Sequence, residues 1–303
     1  MQPITRLNQI PERLKQDAPR RIAVAAAEDA NTLGAVVRAV NDGFAEAILI
    51  GDRRAIEQTA SAAGIHINPA WIVDAGDHAC AVACAVQMVR TGKADVLMKG
   101  LVNTDLFLKA VLNTETGLLP KGRVMSYVCA VEVPDYPKLM FITDTAVLPF
   151  PDLNQKEAML RYALSMARRF GIAEPKVALI SASEKVSPNF PNSIDYALLS
   201  KMAERGQFGK CLVDGPLDIF LACDPASAAI KGVPTPIAGQ ADVLLFPSLE
   251  ACNAFYKGLM LFAGGELAGM ICGPDKPVVV MSRSESENSK YYCIALSCLM
   301  ADE

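Results

Sequence analysis

The chain has 303 residues, of which 51% are apolar, 20% charged and 6% aromatic, and its 29 Lys and Arg against 33 Asp and Glu leave a formal charge of −4. That length buries ample core for two domains or one large one, and so apolar a composition excludes a disordered chain. The acidic balance gives no reason to expect nucleic acid or an anionic membrane as partner, so a polyanionic ligand has to be met by local Lys and Arg. No apolar run reaches the roughly 18 residues of a membrane-spanning helix. Residues 1–18 lack the apolar block of a signal peptide, and a cytoplasmic location is expected.

Arg21–Ala27 reads as a strand, and Asp29 opens a helix running to about Asn41, stopped by Gly43. Ala47–Ile50 is a second strand ended by Gly51-Asp52. A helix over 53–63, a short strand at Trp71–Val73 and a helix over 77–91 follow. Asp95–Met98 is the next strand, running into Lys99-Gly100 and a helix from Thr104 to Leu112. Alternating strands and helices of this length predict parallel pairing with right-handed crossovers.

The rhythm breaks at Val124–Val133 and Leu139–Thr143, two strands around Pro134-Asp-Tyr-Pro137 that read as an antiparallel hairpin. The domain crossing is placed here. A second series starts after Pro149, where Asn154 and Glu157 read as a capping pair for a helix burying Met159, Leu160, Ala163, Ala167 and Phe170. That helix ends in Arg168-Arg169-Phe-Gly171, with cations in the last turn and glycine past it. Strands follow at Val177–Ile180, Cys211–Val213, Val243–Phe246, Gly269–Cys272 and Val278–Met281. A final amphipathic helix, Glu287–Met300, is expected to pack back on the first domain. The predicted fold is α/β in two domains, residues 1–134 with 284–303 and residues 135–283.

Polar residues recur where these strands end: Lys99-Gly100, Asp214-Gly215-Pro216, Pro247-Ser248 with Asn253, Tyr256 and Lys257 on the helix beyond, and Ser282-Arg283 after the buried parallel strand Pro277–Met281. Open α/β sheets bind ligands beyond the carboxyl ends of their strands. There an arginine fork suits phosphate and a serine hydroxyl suits a developing oxyanion. A turn or cap is the plain alternative at each place, and the sequence does not make them converge. There is no G-x-G-x-x-G after the first strand, no P-loop and no G-x-S-x-G elbow. Asp144, Asp214, Asp242, Glu285 and Glu287 could bind a metal but no pair has diagnostic spacing, and most of them read as surface or capping residues. Nine cysteines, Cys80 and Cys84 near His78 among them, read as buried, reduced thiols rather than a zinc site, since the chain holds only two histidines.

Six segments carry a resemblance. They are Asp95–Thr104 (DVLMKGLVNT), Ala167–Gly171 with Pro175–Leu179, Val213–Leu217 (VDGPL), Ala238–Pro247 (AGQADVLLFP), Asn253–Lys257 (NAFYK) and Pro277–Arg283 (PVVVMSR). In order and spacing, along nearly the whole length, they resemble the phosphate acetyl/butyryltransferase family. The resemblance implies acyl-CoA + phosphate ⇌ acyl phosphate + CoA, with butyryl-CoA the first expectation and acetyl-CoA an alternative. It implies two α/β domains of isocitrate dehydrogenase-like architecture with the site in the cleft between them. It also implies a homodimer or higher homo-oligomer, with no tightly bound cofactor and a coenzyme A thioester as substrate.

Carried onto this chain, the resemblance makes Arg283 the phosphate-binding arginine and Ser282 the serine that steadies the tetrahedral intermediate. Lys109 falls near a basic residue of the acetyltransferase branch, and Lys99, Asp214, Asn253, Tyr256 and Lys257 are expected to line the substrate site. The acetyltransferase branch places an aspartate seven residues after the serine as general base. Here Ser289 stands at that position, beside Lys290, and the segment Ser282–Lys290 resembles the butyryltransferase branch, which also lacks that aspartate. Glu285 or Glu287 could substitute, or could merely complement the dipole of the last helix. Two rivals stay open: a metal-dependent decarboxylating dehydrogenase of the isocitrate type, and a catalytically degenerate acyl-CoA-binding sensor.

Overall fold

The computed structural model describes residues 2–281 and 285–301. In chain order the elements are α1 (Gln9–Leu14), β1 (Arg20–Ala25), α2 (Ala30–Asn41), β2 (Ala45–Gly51), α3 (Arg53–Ala62), β3 (Ile72–Asp74), α4 (His78–Arg90), β4 (Val96–Lys99) and α5 (Thr104–Val111). Then come β5 (Ser126–Glu132), β6 (Met140–Thr143), α6 (Leu153–Arg169), β7 (Lys176–Ile180), α7 (Asn192–Glu204), β8 (Leu212–Leu217), α8 (Ile219–Cys223) and α9 (Pro225–Lys231). The chain closes with β9 (Val243–Leu245), α10 (Leu249–Phe262), β10 (Glu266–Cys272), β11 (Val278–Val279) and α11 (Glu287–Met300). The fold is mixed α/β, as the alternation predicts.

Two compact units emerge, Leu7–Met125 with Leu267–Glu303, and Met1–Arg6 with Ser126–Glu266. These bounds differ from the expected division at residues 134 and 283. β11 lies in register beside β4, with Val278 against Leu97, and β10 turns back antiparallel onto β11. Both strands therefore belong with the amino-terminal unit.

In that first unit the strand order is β3-β2-β1-β4-β11-β10. β1 pairs in parallel with β2 and β4, and its residues Ile22–Ala25 are fully buried. Ala23 and Ala25, two residues apart on β1, share one face of the sheet, and their small side chains let a helix seat closely there. The strand read as parallel throughout, Pro277–Met281, shrinks to Val278–Val279 with one parallel and one antiparallel neighbour. α11 is not amphipathic as expected. Its buried residues run from Ser289 to Met300 on every side, because it packs on α1, α2 and the sheet together.

In the second unit the order is β5-β6-β9-β7-β8. β5 and β6 form the expected antiparallel hairpin, Ala130 facing Phe141, while β6, β9, β7 and β8 run parallel. α6 is capped by Asp152 and Gln155, which exchange bonds of 2.8 and 2.9 Å, rather than by Asn154 and Glu157. Glu157 instead holds Arg161 one turn on. At the other end Gly171 sits at φ +95, where a Cβ would also meet Pro3 Cα at 2.9 Å. Only glycine lets the amino-terminal segment pass there, tied by Ile4 N–H to Phe170 O at 2.8 Å.

Candidate active site

The first unit ends its parallel strands in caps. Asp29, Asp52, Asp77 and Asn103 each accept a backbone N–H at the start of α2, α3, α4 and α5. After β1, Ala26 adopts φ 57, and its carbonyl takes Leu101 N–H at 2.6 Å while Ala25 O takes Gly100 N–H at 2.9 Å. The two turns touch so closely that a Cβ on Gly100 would lie 2.1 Å from Ala26 O. Glycine is thus required by backbone approach, not by turn conformation.

Lys99, the last residue of β4, is only 6% exposed and points its ammonium at Gly100 O, 3.3 Å away. Lys109 is exposed in the last turn of α5, where a cation complements the helix dipole. It stands about 7.5 Å along the axis from Thr104, at the opposite end of α5 from the turn that carries Lys99. Ser282 and Arg283 lie outside the described residues. Met281 before them is buried, and the Cys293 thiol on α11 reaches its sulfur at 3.1 Å.

The start of α11 is tied down at Ser286, Ser289 and Lys290. Ser286 caps the helix through Ser289 N–H at 3.0 Å, and the two serine hydroxyls lie 3.1 Å apart. Lys290 is buried and donates to Asp29 at 2.6 Å. Burial works to raise the Asp29 carboxyl, yet hydrogen bonds from Lys290 and Thr32 outweigh it and hold the group below its ordinary value. Glu287 occupies the first turn of α11, over Gly34, where a Cβ would come within 2.4 Å of its carboxylate. Ser289 offers a hydroxyl and Lys290 a paired ammonium, so neither supplies the carboxylate of the acetyltransferase branch.

In the second unit the polar groups gather at the carboxyl end of β6. Asp144, joined to Thr143 by a cis peptide, is 1% exposed. One carboxylate oxygen accepts Ser126 Oγ at 2.9 Å and Tyr127 N–H at 3.0 Å, and the other accepts Ala146 and Val147 N–H, both at 2.8 Å. Burial pushes its carboxyl above the usual range against those four donors. Asp144 is therefore neither a surface residue nor a helix cap, contrary to expectation; it knots the turn after β6 to the start of β5. The signal was present as an acid directly after an apolar strand, the pattern of an Asx turn.

Asn253 on α10 fastens the same turn, its amide donating to Thr145 O at 2.9 Å. Tyr256 and Lys257 follow on that helix, half-buried and exposed respectively. Asp214 lies within β8 rather than past its end, and its carboxylate accepts the next amide, Gly215 N–H, at 2.9 Å. The structure thus brings Asn253 to the Asp144 turn and leaves Asp214 on the edge strand β8.

Among the described residues no group of three or more His, Cys, Asp or Glu could hold a metal ion. Cys80 is exposed rather than buried, and the hydrogen bond to Asp77 raises its thiol. No helix among the described residues is long and apolar enough to cross a membrane.

Comparison with known proteins extends over nearly the whole chain. The family described as phosphate acetyl/butaryl transferase matches residues 6–80 and 78–298. The phosphate butyryltransferase of Clostridium acetobutylicum is 40% identical over 298 residues, 98% of this chain and 99% of that protein. The phosphate acetyltransferase of Thermotoga maritima is 37% identical over 286 residues, 93% of this chain and 95% of that one. The crystal structure of a branched-chain phosphotransacylase from Enterococcus faecalis matches with a TM-score of 0.81 at 29% identity, covering 93% of this chain and 99% of that one.

Proposed function

This chain belongs to the phosphate acetyl/butyryltransferase family, and from that premise we propose that it moves a short acyl group between coenzyme A and inorganic phosphate, with butyryl-CoA as the first substrate. The observation that carries the reading is the 40% identity to a phosphate butyryltransferase across essentially both full chains. Acetyl-CoA is the second substrate reading, favoured by the 37% identity to a phosphate acetyltransferase. The isocitrate dehydrogenase-like arrangement, a homo-oligomeric state and a cytoplasmic location complete the proposal, and no tightly bound cofactor enters it.

Arg283 holds the phosphate dianion, which attacks the thioester carbonyl. Its oxygen takes up the electron pair beside the Ser282 hydroxyl, the tetrahedral adduct collapses, and CoA leaves as a thiolate. A phosphate dianion is already a nucleophile, so orientation and charge neutralisation supply most of the rate. The engaged Ser289 and Lys290 fit a route in which no side chain takes a proton from phosphate. Lys99, Lys109, Asp214, Tyr256 and Lys257 are proposed to line the substrate site, and Asn253 to shape it by holding the turn after β6.

The test is thiol release from acetyl-, propionyl-, butyryl- and isobutyryl-CoA, with and without phosphate. Release that depends on phosphate is expected, with the chain preference naming the substrate, and Arg283→Ala is expected to abolish it. Wild-type turnover in that variant would refute the assignment. NADH formation would favour the dehydrogenase, and CoA binding without transfer the sensor.

A further inference from the structure

At the opposite end of the parallel strands from the Asp144 turn, the second unit carries an open pocket of about 450 Å3 lined by Tyr136, Lys138, Lys176, Cys223, Gln240 and Asp242. That volume is in the range of small-metabolite sites. Asp242 and Lys138 precede β9 and β6, and Lys176 opens β7. None of them belongs to the acyl-transfer residues proposed above.

The lining is rich in unused donors. Lys138 Nζ donates to Asp242 at 2.6 Å and to Gln240 O at 2.7 Å, which leaves one ammonium proton. Lys176 gives its backbone N–H to the other oxygen of Asp242 at 2.8 Å and its ammonium to the Gln240 side chain at 2.7 Å, which leaves two. Both oxygens of Asp242 are thereby occupied, and Lys138 offsets its charge. Lys176 is then a surplus, partly exposed cation in the lining. Glu174, the other acid of the lining, is exposed at the rim and only 3.9 Å from Lys210. Gln240 holds both ammoniums to one wall, with Pro137 and Pro225 as apolar walls beside them.

We infer that this pocket binds a small organic acid, its carboxylate or phosphate gripped by Lys176 and Lys138 and its body laid against Pro137 and Pro225. A charge-assisted bond to an ammonium is about twice as strong as a neutral one, and here the cation is held in place before the ligand arrives.

Cys223 lines the pocket and reports on it locally. Burial raises its thiol, so alkylation by iodoacetamide is run at alkaline pH and followed by peptide mass spectrometry, with exposed Cys80 as the internal reference. Malonate and glycerol 3-phosphate are the two probes, one for each oxyanion. At about 10 mM, a probe with a Kd of about 1 mM slows Cys223 alkylation roughly tenfold and leaves Cys80 unchanged. Protection by one probe alone identifies the oxyanion. Lys176→Met loses the protection, whereas Lys176→Arg keeps it. The methionine variant retains the backbone bond to Asp242 and the phosphate-dependent thiol release of the wild type. Equal Cys223 rates with and without both probes would overturn the inference, as would full protection in Lys176→Met.

Discussion

Asp144→Asn preserves the shape of the side chain and still breaks the turn after β6, because the site asks for two acceptor oxygens and an amide has one. The carboxylate receives Ala146 and Val147 N–H on one oxygen, and Ser126 Oγ and Tyr127 N–H on the other. The amide group takes the orientation that loses least. Its oxygen faces Ala146 and Val147, and its NH2 faces Ser126, whose hydroxyl can accept and turn its own proton to Thr143 Oγ1, 3.3 Å away. Tyr127 N–H alone is then stranded in a buried place, at about 1–3 kcal/mol. Losing a buried negative charge offsets part of that, since burial already pushes the Asp144 carboxyl up. The expected net loss is about 1–2 kcal/mol, set from the price of one unsatisfied N–H. With a urea slope of about 2 kcal/mol/M it moves the midpoint down by roughly 0.5–1 M. Circular dichroism during urea unfolding measures the midpoint, and amide exchange tells which donor was lost. Tyr127 should exchange faster while Ala146 and Val147 keep their protection. Adding Ser126→Ala removes the rotor and should deepen the loss. An unchanged or raised midpoint, or deprotection at Ala146 and Val147 instead, would refute the reasoning.

The ion pair under α11 has a definite pH signature. Asp29 is held below its ordinary value of 3.8, so it contributes stability that is present above that pH and is lost as pH falls through its folded value. Lys290→Met should cost about 3 kcal/mol at neutral pH, the low end for breaking a buried pair because Thr32 still bonds Asp29. The gap to wild type should close in urea titrations taken below pH 3.8, and a gap independent of pH would count against the pairing. Gly100→Ala drives a Cβ into Ala26 O. It should cost about 1–3 kcal/mol by overpacking and lower turnover through displacement of Lys99. Wild-type melting and activity would show that the two turns separate freely.

Much of this protein is legible from residue order. The strands β1 and β4, the hairpin around Pro134–Pro137 and the helix α11 follow from short apolar runs, proline placement and caps, all local properties of the chain. The family followed from six short segments in order, which needs no coordinates. What residue order could not decide is which of several equivalent local solutions the fold uses. Asn154 with Glu157 and Asp152 with Gln155 are both capping pairs on paper, and only the path of the chain into α6 selects the second. The face of α11 has no period because three neighbours close on it at once.

The polar residues divide the same way. An acid after an apolar strand is a turn residue in any sequence. That Asp144 is buried under four donors drawn from two stretches of chain depends on β5 pairing with β6, a contact across residues 126 to 147. Lys176, Lys138 and Asp242 lie far apart in sequence and line one pocket only because parallel strands begin side by side. Local chemistry is written residue by residue, whereas burial and convergence are properties of neighbours that parallel pairing brings together from distant parts of the chain.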